Sequence, residues 1–197
     1  MARPRQISDE QILDTARTCF IEHGPAVSTT VIAHELGISQ GALFKRFGSK
    51  EELMLAALSP RKEAAWVEKL ENGPDERPIL DQLRELALEM TTFFERIVPC
   101  MSVLRASGTT HRDIGKEHDV PPPLRGNQAL TGWLVRAQDR GRIRDVDPQG
   151  FATAFTGALQ ARAFFTHVMA RFSPGVESVS LSAPQYIDTL LDSLLYG

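Results

Sequence analysis

The side chains in this chain best suited to chemistry with a partner lie between Thr29 and Lys50. Gln40 carries a carboxamide that can pair with an adenine edge, and Lys45 can reach a guanine or a phosphate. Arg46 beside them offers a charge-assisted bond to phosphate. Gly41 has no side chain, so a sugar or a thymine methyl could approach closely. Helices starting at Ser28 and Ser39 would aim backbone N–H groups at phosphates. On an isolated short helix the same basic residues would usually be a solvated face, so the elements that carry them must decide.

Those elements are helical. Ser8-Asp9-Glu10-Gln11 is a capping box, with Ile7 and Ile12 placed to close a hydrophobic staple. Ile12, Ala16, Cys19 and Phe20 follow at helical spacing until Gly24 and Pro25. Ser28 or Thr29 caps a second helix with Ile32, Ala33 and Leu36 on its apolar side, and Gly37 ends it. Ser39 caps a third, through Leu43 to about Phe47, before Gly48. Two short helices joined by a glycine turn make a helix-turn-helix, with Ile32, Leu36, Ile38, Leu43 and Phe47 as its small core. The outer face of the third helix is then Gln40, Gly41, Phe44 and Lys45, with its first residues toward the major groove.

Ser49-Lys50-Glu51-Glu52 is a second capping box and opens a fourth helix. Pro60 bends it, and the pattern resumes from Glu63 to Leu70. Helical spacing returns from Ile79 to Val98, where Pro99 kinks or ends the helix ahead of a short segment from Cys100 to Arg105. Pro121, Pro122 and Pro123 read as an extended bridge before a helix from about Leu124 to Arg140. Asp147-Pro148 starts a long helix to about Phe172, and Ser182 with Gln185 starts a last one. The expected fold is all-α, with about nine helices. A three-helix helix-turn-helix domain over residues 1–48 precedes a larger helical domain over 49–197.

The chain has 197 residues, 42% hydrophobic and 24% charged, with a net charge of -3. That composition suits a soluble protein with a buried core, and a small net charge can hide a local basic patch. No apolar run approaches the roughly 18 residues of a membrane span, and no apolar segment follows the polar start, so a cytoplasmic setting is expected. Two cysteines give neither a disulfide framework nor zinc spacing; Cys19 reads as core and Cys100 as a small apolar residue rather than a redox sensor. His111 and His118, near Asp113, Glu117 and Asp119, match no metal motif and read as a solvated loop. No nucleotide loop, nucleophile motif or metal spacing is present, so no enzyme, metal or cofactor is expected.

The run Gly41-Ala42-Leu43-Phe44-Lys45-Arg46-Phe47, then Ser49-Lys50-Glu51-Glu52-Leu53, resembles the DNA-binding domain of the TetR family of transcriptional regulators. Ile32-Ala33 and Leu36-Gly37-Ile38-Ser39 match as well. The resemblance implies that Thr29, Ser39, Arg46 and Lys50 position the DNA backbone. It also implies that Thr30, Gln40, Gly41, Phe44 and Lys45 lie near bases, with Arg3 and Arg5 as an arm. Phe44 departs from the family's usual tyrosine and cannot donate to phosphate, which leaves Arg46 to supply that contact. The implied partners are double-stranded operator DNA, a small-molecule effector and a second copy of the chain, joined through the last two helices; no membrane is involved. The implied activity is ligand-responsive repression on a palindromic operator. The competing reading is a helical protein-interaction module whose basic helix meets another protein.

Candidates for the effector pocket are Phe93, Met101, Leu104, Trp133 and Phe165, with Phe94 and Phe164 nearby. At helical spacing such residues are more often plain core. Arg105 and Arg162 fall among apolar segments and suit an anionic or polar ligand group, or equally an internal ion pair.

Overall fold

The first four helix starts are each fixed by a serine cap that the local sequence supplies. In the computed structural model, which describes residues 7–60, 65–109, 122–170 and 181–196, Ser8 and Gln11 form a complete capping box on α1 (Asp9–His23). Ser28 Oγ accepts from the Thr30 N–H at the start of α2 (Thr29–Leu36), which settles the cap on Ser28 rather than Thr29. Ser39 Oγ accepts from the Ala42 N–H to start α3 (Gln40–Phe47). Ser49 and Glu52 form the second capping box, on α4 (Lys50–Leu58). Gly37 ends α2 at φ 64°, ψ 30°, a left-handed geometry that glycine reaches without a Cβ clash.

The chain continues with α5 (Ala65–Asn72), α6 (Ile79–Ala106), α7 (Pro122–Asp139), α8 (Pro148–Phe164) and α9 (Ala183–Tyr196). Among the described residues there are nine such helices and no strand. A π-helical turn, Phe165–Met169, extends α8. Arg3, Arg5 and the segment holding His111 and His118 lie outside the described residues.

Two expectations need correction. Pro99 does not end its helix: α6 runs from Ile79 to Ala106 without a break, so Cys100 to Arg105 is no separate segment. Proline there forfeits one backbone bond, but burial on both sides of it, at Met90 and Phe94 and then Cys100 and Leu104, outweighs that loss. Nor do Pro122 and Pro123 form an extended bridge, because α7 starts at Pro122. The first turn of a helix has no intrahelical use for its N–H groups, so prolines cost little there.

The helices sort into two compact units, Met1–Arg61 with Pro99–Lys116, and Lys62–Val98 with Glu117–Gly197. In the first, α1 packs on α2 and α4, α2 on α3, and α3 on α4. Ile12, Ala16, Phe20, Ile32, Leu43, Leu53, Ala57 and Leu104 are its buried residues of least exposure. Arg17 Nε donates to the Ala57 carbonyl at 2.9 Å and so satisfies an end group of α4 from α1.

In the second unit, α5 packs on α7, α7 on α8, and α8 on α9. Its core joins Trp66, Met90, Phe94, Trp133, Phe155, Leu159 and Leu191. A Cβ at Gly126 would stand 2.5 Å from Trp66 Cη2, so only glycine lets α7 lie this close to the indole. The turn before α6 is clamped by polar groups. Gln82 Nε2 donates to the Asp75 and Arg77 carbonyls at 3.1 and 2.6 Å. Arg136 donates to the Leu70 carbonyl at 2.5 Å, Arg140 to that of Pro74 at 2.7 Å, and Arg142 to those of Asp75 and Arg77.

Candidate nucleic-acid interface

The first unit presents α3 with one buried side chain and an open outer face. Leu43 is fully buried and holds the helix down, while Phe44 and Phe47 are half-buried. Gln40, Gly41, Lys45 and Arg46 are all exposed. A Cβ built on Gly41 would meet only Ser39 Oγ, at 3.9 Å. The protein's own packing therefore gives no reason for a glycine there. Lys45 has no ion-pair partner among the described residues, so its ammonium is available to an anion.

Several of the residues expected at the interface also hold hydrogen bonds within the protein itself. Thr29 is only 5% exposed, and its hydroxyl accepts a hydrogen bond from Gln40 Nε2 at 2.6 Å. Thr30 beside it is exposed, and its N–H is held by Ser28 Oγ at 3.2 Å. Arg46 Nη1 donates to the Ile7 carbonyl at 2.6 Å and to Asp9 Oδ1 at 3.2 Å. It thus ties the start of α1 to the end of α3 while its side chain stays 37% exposed. Lys50, the first residue of α4, is half-exposed. Spacing along the chain carries no signal for the Thr29–Gln40 or Arg46–Ile7 contacts, whose partners are far apart in sequence.

The effector candidates are divided between the two units. Met101, Leu104 and Arg105 belong to the first, where Leu104 is fully buried and Arg105 is exposed. Phe93, Trp133, Arg162 and Phe165 belong to the second. Trp133 is core at 2% exposure, whereas Phe165 is 48% exposed. Phe93 packs edge-on against Trp66 and Phe94 with ring centroids 6.0 and 5.6 Å apart.

Arg162 makes the internal ion pair left open by the sequence, with Nη1 2.8 Å from Glu95 Oε1, and its guanidinium lies over the Tyr186 ring. Its Nε is nevertheless buried without a hydrogen-bond partner among the described residues. Thr166 Oγ1 and His167 Nε2 share that condition, and both sit in the π-helical turn. A π turn brings residues i+4 and i+5 onto nearly the same face as residue i, and such turns are frequent at functional sites. Neither Thr166 nor His167 stood out in the sequence, because a π turn does not announce itself in apolar periodicity.

Cys19 and Cys100 are both buried and not joined in a disulfide, and burial pushes the Cys19 thiol above its ordinary value. No group of three or more metal-ligating side chains occurs among the described residues. Nor is any of their helices long and apolar enough to cross a membrane.

Comparison with known proteins agrees with this geometry. Residues 12–57 match the family model described as bacterial regulatory proteins, tetR family. The chain is 31% identical over 138 residues to the HTH-type transcriptional repressor AcnR of Corynebacterium efficiens, covering 70% of this chain and 69% of that protein. Among solved structures it resembles the TetR family transcriptional regulator PfmR of Thermus thermophilus. There the identity is 26% and the TM-score 0.69, over 95% of this chain and 98% of that one. AibR, solved with isovaleryl coenzyme A and operator DNA, shares the fold at 18% identity and a TM-score of 0.59, over 94% and 97% of the two chains. Members of this family are transcriptional regulators rather than enzymes, and an N-terminal helix-turn-helix followed by an all-helical domain places the chain among them: it belongs to the TetR family.

Proposed function

We propose that this regulator is a ligand-responsive repressor that binds a palindromic operator as a homodimer. The observation that carries the reading is the outer face of α3, where Gln40, Gly41 and Lys45 are exposed above a single buried anchor, Leu43. Residues 1–48 form the DNA-binding domain in this reading, and residues 49–197 form the effector and dimerisation domain. Gln40, Gly41, Phe44, Lys45 and Thr30 face bases. Ser39, Lys50 and Arg46 face the phosphate backbone, Arg46 through the N–H groups that Ile7 and Asp9 leave open.

The dimer forms through α8 and α9. The side of α8 turned away from the core carries Ala154, Gly157 and Ala161, then Phe164, Phe165 and Met169. Small residues followed by exposed aromatics suit close approach of an identical helix. Pairing matters because two recognition helices read half-sites about 34 Å apart, or a multiple of it. The effector enters the second unit and satisfies the buried polar atoms of Arg162, Thr166 and His167, with Phe93 of the same unit as apolar lining. It favours a state whose recognition helices no longer match one operator, which requires different affinity for the two states.

The test is salt-dependent binding to a palindromic duplex, lost in Gln40→Ala combined with Lys45→Ala. Binding that survives the double substitution removes α3 as the reading helix. Binding to a protein partner with no duplex affinity favours the interaction-module reading instead. If no small molecule that raises the melting temperature also weakens operator binding, ligand response is excluded and DNA binding stands alone.

A further inference from the structure

Thr29 and Gln40 are the first residues of successive short helices, and their side chains are bonded to each other. Both helix starts are independently held, since Ser28 and Ser39 each bind an N–H of their own helix. The Thr29–Gln40 bond therefore spans two fixed points. Thr29 is almost fully buried, whereas Gln40 is exposed, so the threonine is the anchor and the glutamine the group being held.

A carboxamide has two N–H donors and one carbonyl oxygen. The bond to Thr29 uses one N–H. When Thr29 takes the N–H that points away from the carbonyl oxygen, the other N–H and the oxygen lie side by side and complement adenine, whose N7 accepts and whose amino group donates. A free surface glutamine loses rotamer freedom when it binds, and a glutamine already held loses less.

We propose that Gln40 reads an adenine in the major groove and that Thr29 is a positioning residue which sets its carboxamide, rather than a phosphate ligand. The inference rests on the DNA-binding reading above. It assigns Thr29 to sequence discrimination, although its side chain is turned away from solvent.

The test selects duplexes from a random pool with the full chain, then repeats the selection with variants. Wild type is expected to enrich a two-fold symmetric site holding one adenine per half-site that Gln40→Ala no longer requires. Replacing that adenine with 7-deazaadenine is expected to weaken wild-type binding by about ten-fold. Thr29→Val keeps the shape and loses the acceptor. It is expected to erase most of the adenine preference while the other positions stay selected, and Thr29→Ser to restore it. Circular dichroism melting checks the fold, and Thr29→Ala carries the same expectation if the valine variant does not fold. Uniform weakening on every sequence with the adenine preference intact overturns the proposal and returns Thr29 to a phosphate or folding role. A base other than adenine at the Gln40-dependent position overturns the adenine assignment. If wild type enriches no symmetric site, the DNA-binding reading itself fails, and that outcome is distinct from the other two.

Discussion

Replacing Gly41 by alanine should move stability and operator binding in opposite directions. Gly41 is the second residue of α3, is exposed, and takes a helical conformation. An added Cβ meets nothing closer than Ser39 Oγ at 3.9 Å, an ordinary contact. Alanine is worth up to about 1 kcal/mol over glycine inside a helix, and about half of that is a fair figure in a first turn. For a unit of this size, a gain of about 0.5 kcal/mol raises the melting temperature by about 2–4 °C. On DNA the same methyl group occupies the space where a sugar or thymine methyl should approach. Crowding a close contact costs about 1 kcal/mol at the low end. Across two half-sites that is about 2 kcal/mol, or about 30-fold in affinity. Melting by circular dichroism and titration of a labelled duplex at fixed salt measure the two effects on one protein sample. A variant that melts higher and still binds as tightly as wild type refutes close approach at residue 41. A variant that melts lower refutes the open space around it.

Arg46→Ala should lower the stability of the first unit by about 1 kcal/mol, since it removes one carbonyl bond and one exposed ion pair. It should also reduce the slope of log K against log salt by about 0.9 per protomer, and an unchanged slope would show that Arg46 touches no phosphate. Phe165→Asp, at a side chain 48% exposed, should weaken dimerisation by about 3 kcal/mol or more, because each substitution occurs twice across a symmetric interface. Sedimentation at several concentrations checks this, and an undiminished dimer removes Phe165 and the π-helical turn from the interface. The Asp75 and Glu85 carboxyls are held below their ordinary range, chiefly by hydrogen bonds from Arg77. Both folded pKa values are depressed, so their small contribution is present at neutral pH and is lost as the pH falls below about 4. Arg77→Ala should flatten the dependence of unfolding on pH in that acid range, and a curve parallel to wild type would count against it.

Much of the architecture was legible because helix signals are local. Ser8 with Gln11, Ser49 with Glu52, Asp147 with Pro148, and Ser182 with Gln185 each hold their partners within a turn. Gly37 announced its left-handed turn for the same reason. The family pattern around α3 was equally local. Pro99 and Pro122 misled because the same residue breaks a helix, sits within one, or starts one, according to what is buried beside it. The apolar effector candidates were drawn from helical spacing, which reads the same for a core residue and a pocket wall, and Leu104 and Trp133 are buried as either would be.

The sequence by itself determined that this chain is all-helical, where its first four helices begin, and which short helix carries Gln40 and Lys45. Caps, glycine turns and apolar periodicity act over a few residues, so the order of the residues already contains them. Only the tertiary structure decided which partners these groups hold. Thr29 became the anchor of Gln40, Arg46 the tie to Ile7 and Asp9, Arg162 the partner of Glu95, and Gly126 the seat of Trp66. Each joins residues many positions apart, brought together when the apolar faces of separate helices are buried against one another.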